Sequence, residues 1–366
     1  MNTWTRRRLD ELCRVTRGAS PRPIIEWIAP EGIPWIKISD ASAANSRTIT
    51  QTAEFIKPDG ARHSVRVLPG DLIVSNSATP GIPKFVGMNA CIHDGWLLLR
   101  DFHGVIAEFL YYRVVLDRVA LIQQGNGSVF TNLKTDILKS HIIDVPPISE
   151  QRAISATLGA LDDKIESNRR ACDLLWSLTG ASWEKLTGEA SVRPLGEVLE
   201  LVYGKSLPAV KRTHGSVPVY GSNGITGWHN VSLVAGPVVV VGRKGSIGEV
   251  HWSHVSAFPI DTTFYVRSRD NYPLVACYLA LRKAGLQSMN SDSAIPGLNR
   301  DRALRVKVTL PVLREATVWA RNANLLVTQI AAIEEQTVTL ETLRNDLLPE
   351  LLSGRLRVAI TTEVPV

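Results

Sequence analysis

No Cys-x-x-Cys spacing occurs in this chain of 366 residues; its four cysteines, Cys13, Cys91, Cys172 and Cys277, stand far apart. That scatter argues against a disulfide framework or a zinc site and favours reduced thiols. No apolar run is long enough to span a bilayer. The most apolar stretch, "PVVVVG" at 237–242, predicts a buried strand instead. The opening "MNTWTRRRLDEL" has no apolar h-region, so the expected location is the cytoplasm.

Catalytic signatures are missing as well. There is no His-Glu-x-x-His, no Asn-Pro-Pro-aromatic stretch of the adenine methyltransferase kind, and "GRKGSIG" at 242–248 lacks the dinucleotide-binding spacing. "LVYGKS" at 201–206 ends like a phosphate-binding loop, but the position five before Gly204, where that loop needs glycine, is Leu199. "HWSH", His251 to His254, has only Glu249 as a nearby carboxylate and is expected on a strand or loop surface. Asp162-Asp163-Lys164 resembles a nuclease carboxylate–lysine set, but it falls beside a helical seam, where a solvated face is expected. The chain reads as a binder without cofactor, metal or catalytic residues of its own.

What is present is ordinary globular composition, 45% apolar and 21% charged, with a net charge of +6. The charge is uneven. Residues 1–147 hold 17 basic against 14 acidic side chains, and 192–311 hold 14 against 7. Residues 148–191 and 312–366 each hold 5 against 7. Basic blocks separated by slightly acidic ones suggest a polyanion partner.

The chain also repeats itself. "LDELCRVTRGAS" at 9–20 parallels "LGEVLELVYGKS" at 195–206, matching Gly18 to Gly204. "GIPWIKISD" at 32–40 resembles "SVPVYGSNG" at 216–224, and "VLPGDLIVSNSATPGIPKFV" at 67–86 parallels "LVAGPVVVVGRKGSIGEV" at 233–250. "EFLYYRV" at 108–114 parallels "ACYLALR" at 276–282. From Leu133 and Leu298 onward the offset is a constant 165, reaching into the helices. The expected class is α+β: two similar mixed β-rich domains, 1–147 and 192–311, each followed by a long helical segment, 148–191 and 312–366.

The helices carry a heptad seam. Ile154, Leu158, Leu161, Ile165, Asn168, Cys172 and Leu175 are spaced alternately by four and three. The second copy repeats it as Trp319, Ala323, Leu326, Ile330, Ile333, Thr337 and Leu340. Each helix follows a proline, Pro146-Pro147 or Pro311, and Ser149 is the expected N-cap of the first. A helix of ~35 residues is roughly 50 Å long, so an antiparallel pair could hold two basic domains apart. Asn168 either fixes the register of this seam or lies at its wet edge.

Loops of both domains carry groups suited to DNA. In the first these are Arg17, Arg22, Lys37, Arg62, Asn76, Thr79 and Lys84, with Asn126, Ser128, Asn132 and Lys134 in a polar loop. In the second they are Lys205, Lys211, Arg212, Tyr220, Asn223, Arg243, Lys244, Ser246, Asn299 and Arg300. Lysine and arginine neutralise phosphates, arginine also forks onto guanine, and small polar side chains position the backbone or read base edges.

"VPPISEQRAISATLGALDDKIESNRR" at 145–170 closely resembles the central region of type I restriction-modification specificity subunits. "PVYGSNGITG", "VVVGRKGSIG", the Asp261-Thr262 pair, "LNRDRALRVKVTLP" and the closing "LRNDLLPELLSGRLRV" follow in that family's order. The resemblance covers nearly the whole chain. It implies a non-catalytic subunit whose two target-recognition domains each read half of a split, asymmetric sequence in double-stranded DNA. It further implies that the helices form an antiparallel coiled coil that measures the gap and docks two methyltransferase subunits. Those partners would bring S-adenosylmethionine, and restriction subunits would bring ATP-driven translocation and cleavage. There is one departure: Ala316 stands where the first copy has Gln151, so the two helix starts need not make equivalent contacts.

Two rival readings remain. A nucleotide-binding enzyme would use Gly204-Lys205-Ser206 and show saturable, Lys205-dependent ATP binding. A stand-alone pseudo-dimeric DNA binder would form no complex with a methyltransferase subunit. Against the first, the counterpart "RVTRGAS" keeps Gly18 and Ser20 but has Ala19 in place of the lysine.

Overall fold

A computed structural model describes residues 4–44, 46–124, 132–188, 190–289 and 297–358. Its chain divides into two compact units. The first joins residues 1–168 to 336–366, and the second is residues 169–335.

In the first unit, β1 (Thr5–Arg8) leads into the short helix α1 (Leu9–Leu12) and β2 (Arg14–Arg17). Then come β3 (Ile28–Ala29), β4 (Ile33–Ile36), α2 (Ile38–Ala43), β5 (Thr48–Ile49), β6 (Phe55–Ile56) and β7 (Val65–Val67). The domain continues through β8 (Leu72–Ser75), β9 (Pro83–Val86), β10 (Ala90–Ile92), β11 (Trp96–Arg100), α3 (Ala107–Gln123), α4 (Thr135–Ser140) and β12 (Ile142–Val145). Next comes α5 (Ile148–Thr187), 40 residues long, whose residues up to 168 belong to this unit and the rest to the second. Two five-stranded sheets form, in the orders β3-β6-β4-β10-β7 and β2-β11-β8-β9-β5, and β1 pairs with β12. The sheets are mixed, because β4 runs parallel to β10 and β5 parallel to β9. Strands β8 and β11 are apolar and buried on both faces, which explains their continuous rather than alternating hydrophobic runs.

The second unit holds β13 (Ser191–Pro194), β14 (Leu199–Tyr203), β15 (Val217–Gly221), β16 (Gly224–His229), β17 (Val238–Gly242) and β18 (Val250–Ser253). They are followed by β19 (Phe258–Pro259), β20 (Thr263–Ser268), α6 (Leu274–Lys283), α7 (Arg300–Leu304), β21 (Lys307–Leu310) and the 40-residue α8 (Leu313–Leu352), whose residues from 336 on belong to the first unit. A four-stranded sheet β14-β20-β17-β18 and a three-stranded sheet β16-β15-β19 form, and β13 pairs with β21. All five residues of β17 are buried, as "PVVVVG" predicts.

Within each unit α5 and α8 run antiparallel. In the first, Leu348, Leu351 and Leu352 from the end of α8 join Ile154 and Leu158 from the start of α5 in one core. In the second, Trp183 near the end of α5 packs against Trp319 near the start of α8, ring centroids 4.8 Å apart and planes tilted by 54°. Every seam position is buried or half-buried. Asn168 is buried and donates to Gln336 Oε1 at 2.9 Å and Thr337 Oγ1 at 3.2 Å, so it does not lie at a wet edge.

Two local expectations change. Helix α5 begins at Ile148, and the Pro147 carbonyl accepts from Gln151 N at 3.0 Å, so Ser149 lies inside the first turn and is not its cap. Asp162 does not face solvent. It is 7% exposed, because Tyr112 of α3, Arg344 of α8 and Arg47 converge on it. Asp163, one residue on, is the solvated carboxylate and pairs with Arg47.

The missing glutamine is replaced by a different bond. Gln151 is fully buried; its Oε1 accepts from Ile106 N at 2.9 Å, and its Nε2 donates to Gly104 O and Pro146 O at 2.9 and 2.8 Å. Ala316 is also fully buried but offers nothing to bond. There the carbonyl of Pro311 accepts instead from Tyr272 Oη at 3.1 Å and Arg193 Nη2 at 2.9 Å. The preceding carboxylates differ too. Glu150 is buried and accepts from Trp4 Nε1 at 3.0 Å, whereas Glu315 is exposed.

Candidate nucleic-acid interface

The polar loops at the end of the β2-β11-β8 strands, and of β14-β20-β17, hang on one backbone frame in each unit. Gly18 N donates to Trp96 O at 2.8 Å, Asn76 N to Gly95 O at 2.8 Å, Leu133 N to Asn76 O at 2.8 Å and Gly81 N to Ser75 O at 2.7 Å. In the second unit Gly204 N donates to Thr263 O at 3.1 Å, Arg243 N to Thr262 O at 2.9 Å, Leu298 N to Arg243 O at 2.8 Å and Gly248 N to Gly242 O at 2.9 Å. The glycine in "RGAS" and "YGKS" is needed for close approach. A Cβ at Gly18 would lie 2.1 Å from His93 O, and one at Gly204 would lie 2.2 Å from Ile260 O. No α-helix follows Gly204-Lys205-Ser206, only the three-residue 3-10 turn Ala209–Lys211, so there is no helix N-terminus to face a nucleotide phosphate.

In the first unit this frame gathers Arg17, Arg22 and Asn76 around Asp94. Arg17 Nε and Asn76 Nδ2 donate to the Asp94 carbonyl at 3.1 and 2.9 Å. Arg22 Nη2 and Ser20 Oγ donate to its carboxylate at 3.1 and 2.6 Å. Partial burial opposes ionisation of Asp94, yet the Ser20 hydroxyl and the Arg22 guanidinium hold its carboxyl below the usual range. Burial pushes the neighbouring His93 imidazole down, against the pull of Asp94. Asn76 is buried, Arg17, Arg22 and Thr79 are exposed, and Asn132 and Lys134 are exposed at the start of α4. Lys37 pairs with Glu54, and Arg62 pairs with Asp59 at 3.2 Å. The Lys84 ammonium donates to the carbonyls of Ala44, at 2.8 Å, and Ser46. Asn126 and Ser128 lie outside the described residues.

In the second unit Lys205, Lys211, Asn223 and Lys244 are exposed, and Ser246 is half-buried in the 242–248 loop. Arg212 donates to Thr226 O at 2.7 Å. Tyr220 is buried, with its hydroxyl 3.5 Å from Trp252 O. Asn299 is exposed and caps α7 through Arg302 N at 2.9 Å. Arg243 Nη1 donates to Asp261 O at 3.2 Å. Its guanidinium carbon sits 4.9 Å from the centroid of the Tyr203 ring, which Arg300 also approaches at 5.6 Å. Asp94 and Tyr203 were not among the candidates. The Asp-Gly turn in "IHDGW" and the tyrosine before the shared glycine were the available signals.

"HWSH" is not a plain surface strand. His251 is half-buried with Nε2 3.1 Å from Ser222 O. His254 is half-buried with Nδ1 accepting from Trp252 Nε1 at 3.1 Å and Nε2 3.3 Å from Glu334, a carboxylate that α8 supplies across 80 positions of sequence. Among the described residues no group of three or more His, Cys, Asp and Glu side chains could hold a metal ion, and no helix is long and apolar enough to cross a membrane.

Comparison with known proteins agrees with this architecture. A family model described as the type I restriction modification DNA specificity domain matches residues 1–172. The specificity subunit of the type I restriction enzyme MjaIX of Methanocaldococcus jannaschii is 25% identical over 176 residues, 47% of this chain and 41% of that protein. The putative MjaX specificity subunit of the same organism is 29% identical over 101 residues, 27% of this chain and 24% of that protein. The matched stretch is thus less than half the length of either relative. The crystal structure of the type I restriction-modification S subunit from M. genitalium shares the fold, with a TM-score of 0.61 at 19% identity over 96% of both chains. Residues 1–172 thus match the type I restriction modification DNA specificity domain, and nearly the whole chain shares the fold of a solved type I S subunit.

Proposed function

We propose that this chain is the non-catalytic DNA-specificity subunit of a cytoplasmic type I restriction-modification enzyme. Residues 1–147 and 192–311 act as two target-recognition domains, each reading one half of a bipartite, asymmetric target in double-stranded DNA. Residues 148–191 and 312–366 act as an antiparallel spacer and as the dock for two methyltransferase subunits, which carry S-adenosylmethionine and methylate adenine at N6. Restriction subunits that use ATP join this core.

The pair of matched frames carries the reading. Four backbone hydrogen bonds recur with the same sense in both units, while the side chains they present differ: Arg17 and Asn76 in one, Tyr203 and Arg243 in the other. The strand pairings recur too: β4 parallel to β10 and β15 parallel to β19, β2 on β11 and β14 on β20, β1 on β12 and β13 on β21. A constant frame with exchanged side chains supports an internal repeat whose copies read different half-sites. Fixed spacing between two readers is also how dimeric repressors set half-site separation.

Co-purification with a methyltransferase subunit encoded nearby tests the assignment. A complex is expected, and its absence would favour a stand-alone DNA binder. Saturable ATP binding abolished by Lys205→Ala would instead support a nucleotide-binding enzyme.

A further inference from the structure

We infer that Arg243 is the base-reading group of the second unit, that it selects a G·C pair, and that Tyr203 is the residue that positions it. This rests on the DNA-specificity reading above and adds to it a base and a pair of residues.

The backbone of Arg243 is fixed at both ends, by N–H donation to Thr262 O and by its carbonyl accepting from Leu298 N. Its side chain leaves the frame over two neighbouring aromatic rings, Tyr203 at 4.9 Å and Phe264 at 5.9 Å, and donates once to Asp261 O. Among the described residues that is its one side-chain hydrogen bond. A guanidinium has five N–H donors in a rigid planar fork, so most of the fork remains for a ligand. Guanine offers O6 and N7 to such a fork in the major groove, and no other base offers two acceptors there. Tyr203 is 47% exposed although it is a large aromatic, and Arg300 flanks the same ring at 5.6 Å. A half-exposed ring beneath two guanidiniums holds both by cation–π attraction and limits the conformations Arg243 loses on binding. Exposed Lys205 and Lys244 border the same loops and supply phosphate contacts that would set the fork over a groove.

The first unit lacks this device at the equivalent place. Asn76 is 6% exposed and bonded to Asp94 O, and strand pairing puts Arg17 where Tyr203 stands, its Nε spent on the same carbonyl. The two units therefore present different groups from one frame.

The test is selection of randomised duplex DNA by the full chain, expressed with its own methyltransferase genes, followed by sequencing of the recovered duplexes. The natural chain should enrich at least one invariant G·C pair. Arg243→Lys should lose discrimination at one G·C position by roughly tenfold or more while the other positions keep theirs. Tyr203→Leu should weaken the same position, and Tyr203→Phe, which keeps the ring, should not. If Arg243→Lys leaves every position unchanged, or weakens all of them alike, Arg243 is not a base reader, although the DNA-specificity reading survives. If the natural chain enriches no sequence at all, that broader reading fails and takes this one with it.

Discussion

Arg344 of α8 donates its Nη1 to Asp162 Oδ1 of α5 at 2.7 Å. The carboxylate is 7% exposed and also accepts from Tyr112 Oη at 2.7 Å, with Arg47 Nε 3.8 Å away. Removing one member of a buried charge network leaves its partners uncompensated. Asp162→Asn should therefore cost about 3 kcal/mol, the low end for a buried pair because both guanidiniums keep some solvent contact. Asp163→Asn, at an exposed carboxylate, should cost less than about 1 kcal/mol. Urea unfolding of both variants checks the ranking, and equal losses would show that the network does not hold α5 to α8.

The two helix starts should respond differently to losing their bonds. Gln151→Ala strands Ile106 N, Gly104 O and Pro146 O together and should cost roughly 2–4 kcal/mol. Tyr272→Phe removes one bond to the Pro311 carbonyl, which Arg193 still serves, and should cost about 1 kcal/mol or less. Unfolding midpoints at constant denaturant slope measure both.

Gly204→Ala should destabilise the second unit by more than about 2 kcal/mol, because the new methyl group would meet Ile260 O at 2.2 Å and Pro259 O at 2.5 Å. Lys205→Ala should leave stability within about 0.5 kcal/mol, its side chain being exposed. A nucleotide loop would show the opposite weighting in an ATP-binding assay.

Salt dependence separates the lysines. Lys244→Ala should weaken DNA binding and lower the slope of log affinity against log salt by roughly one unit. Lys84→Ala should leave the slope unchanged, because its ammonium is held by the carbonyls of Ala44 and Ser46. A measured change for Lys84 and none for Lys244 would reverse their assignments.

The helices and the buried strand at 237–242 were legible because heptad spacing and an unbroken valine run are local patterns. The environment of single charges was not. Asp162 reads as surface from its place on the helix, and only Tyr112, Arg47 and Arg344, distant in sequence, bury it. Glu334 approaches His254 from 80 residues away. Lysine and arginine could be named as DNA ligands by type, yet type does not tell that Lys84 is consumed by backbone carbonyls while Arg243 is held open over Tyr203. Gly204 was identified as a turn glycine, and its actual constraint, the carbonyl of Ile260, lies just past β19 and far from it in sequence.

The most direct measurement is single-molecule sequencing of host DNA for N6-methyladenine, with and without this chain in an otherwise active system. A bipartite, asymmetric methylated motif that disappears when the chain is removed is the expected result. An unchanged methylation pattern would contradict it.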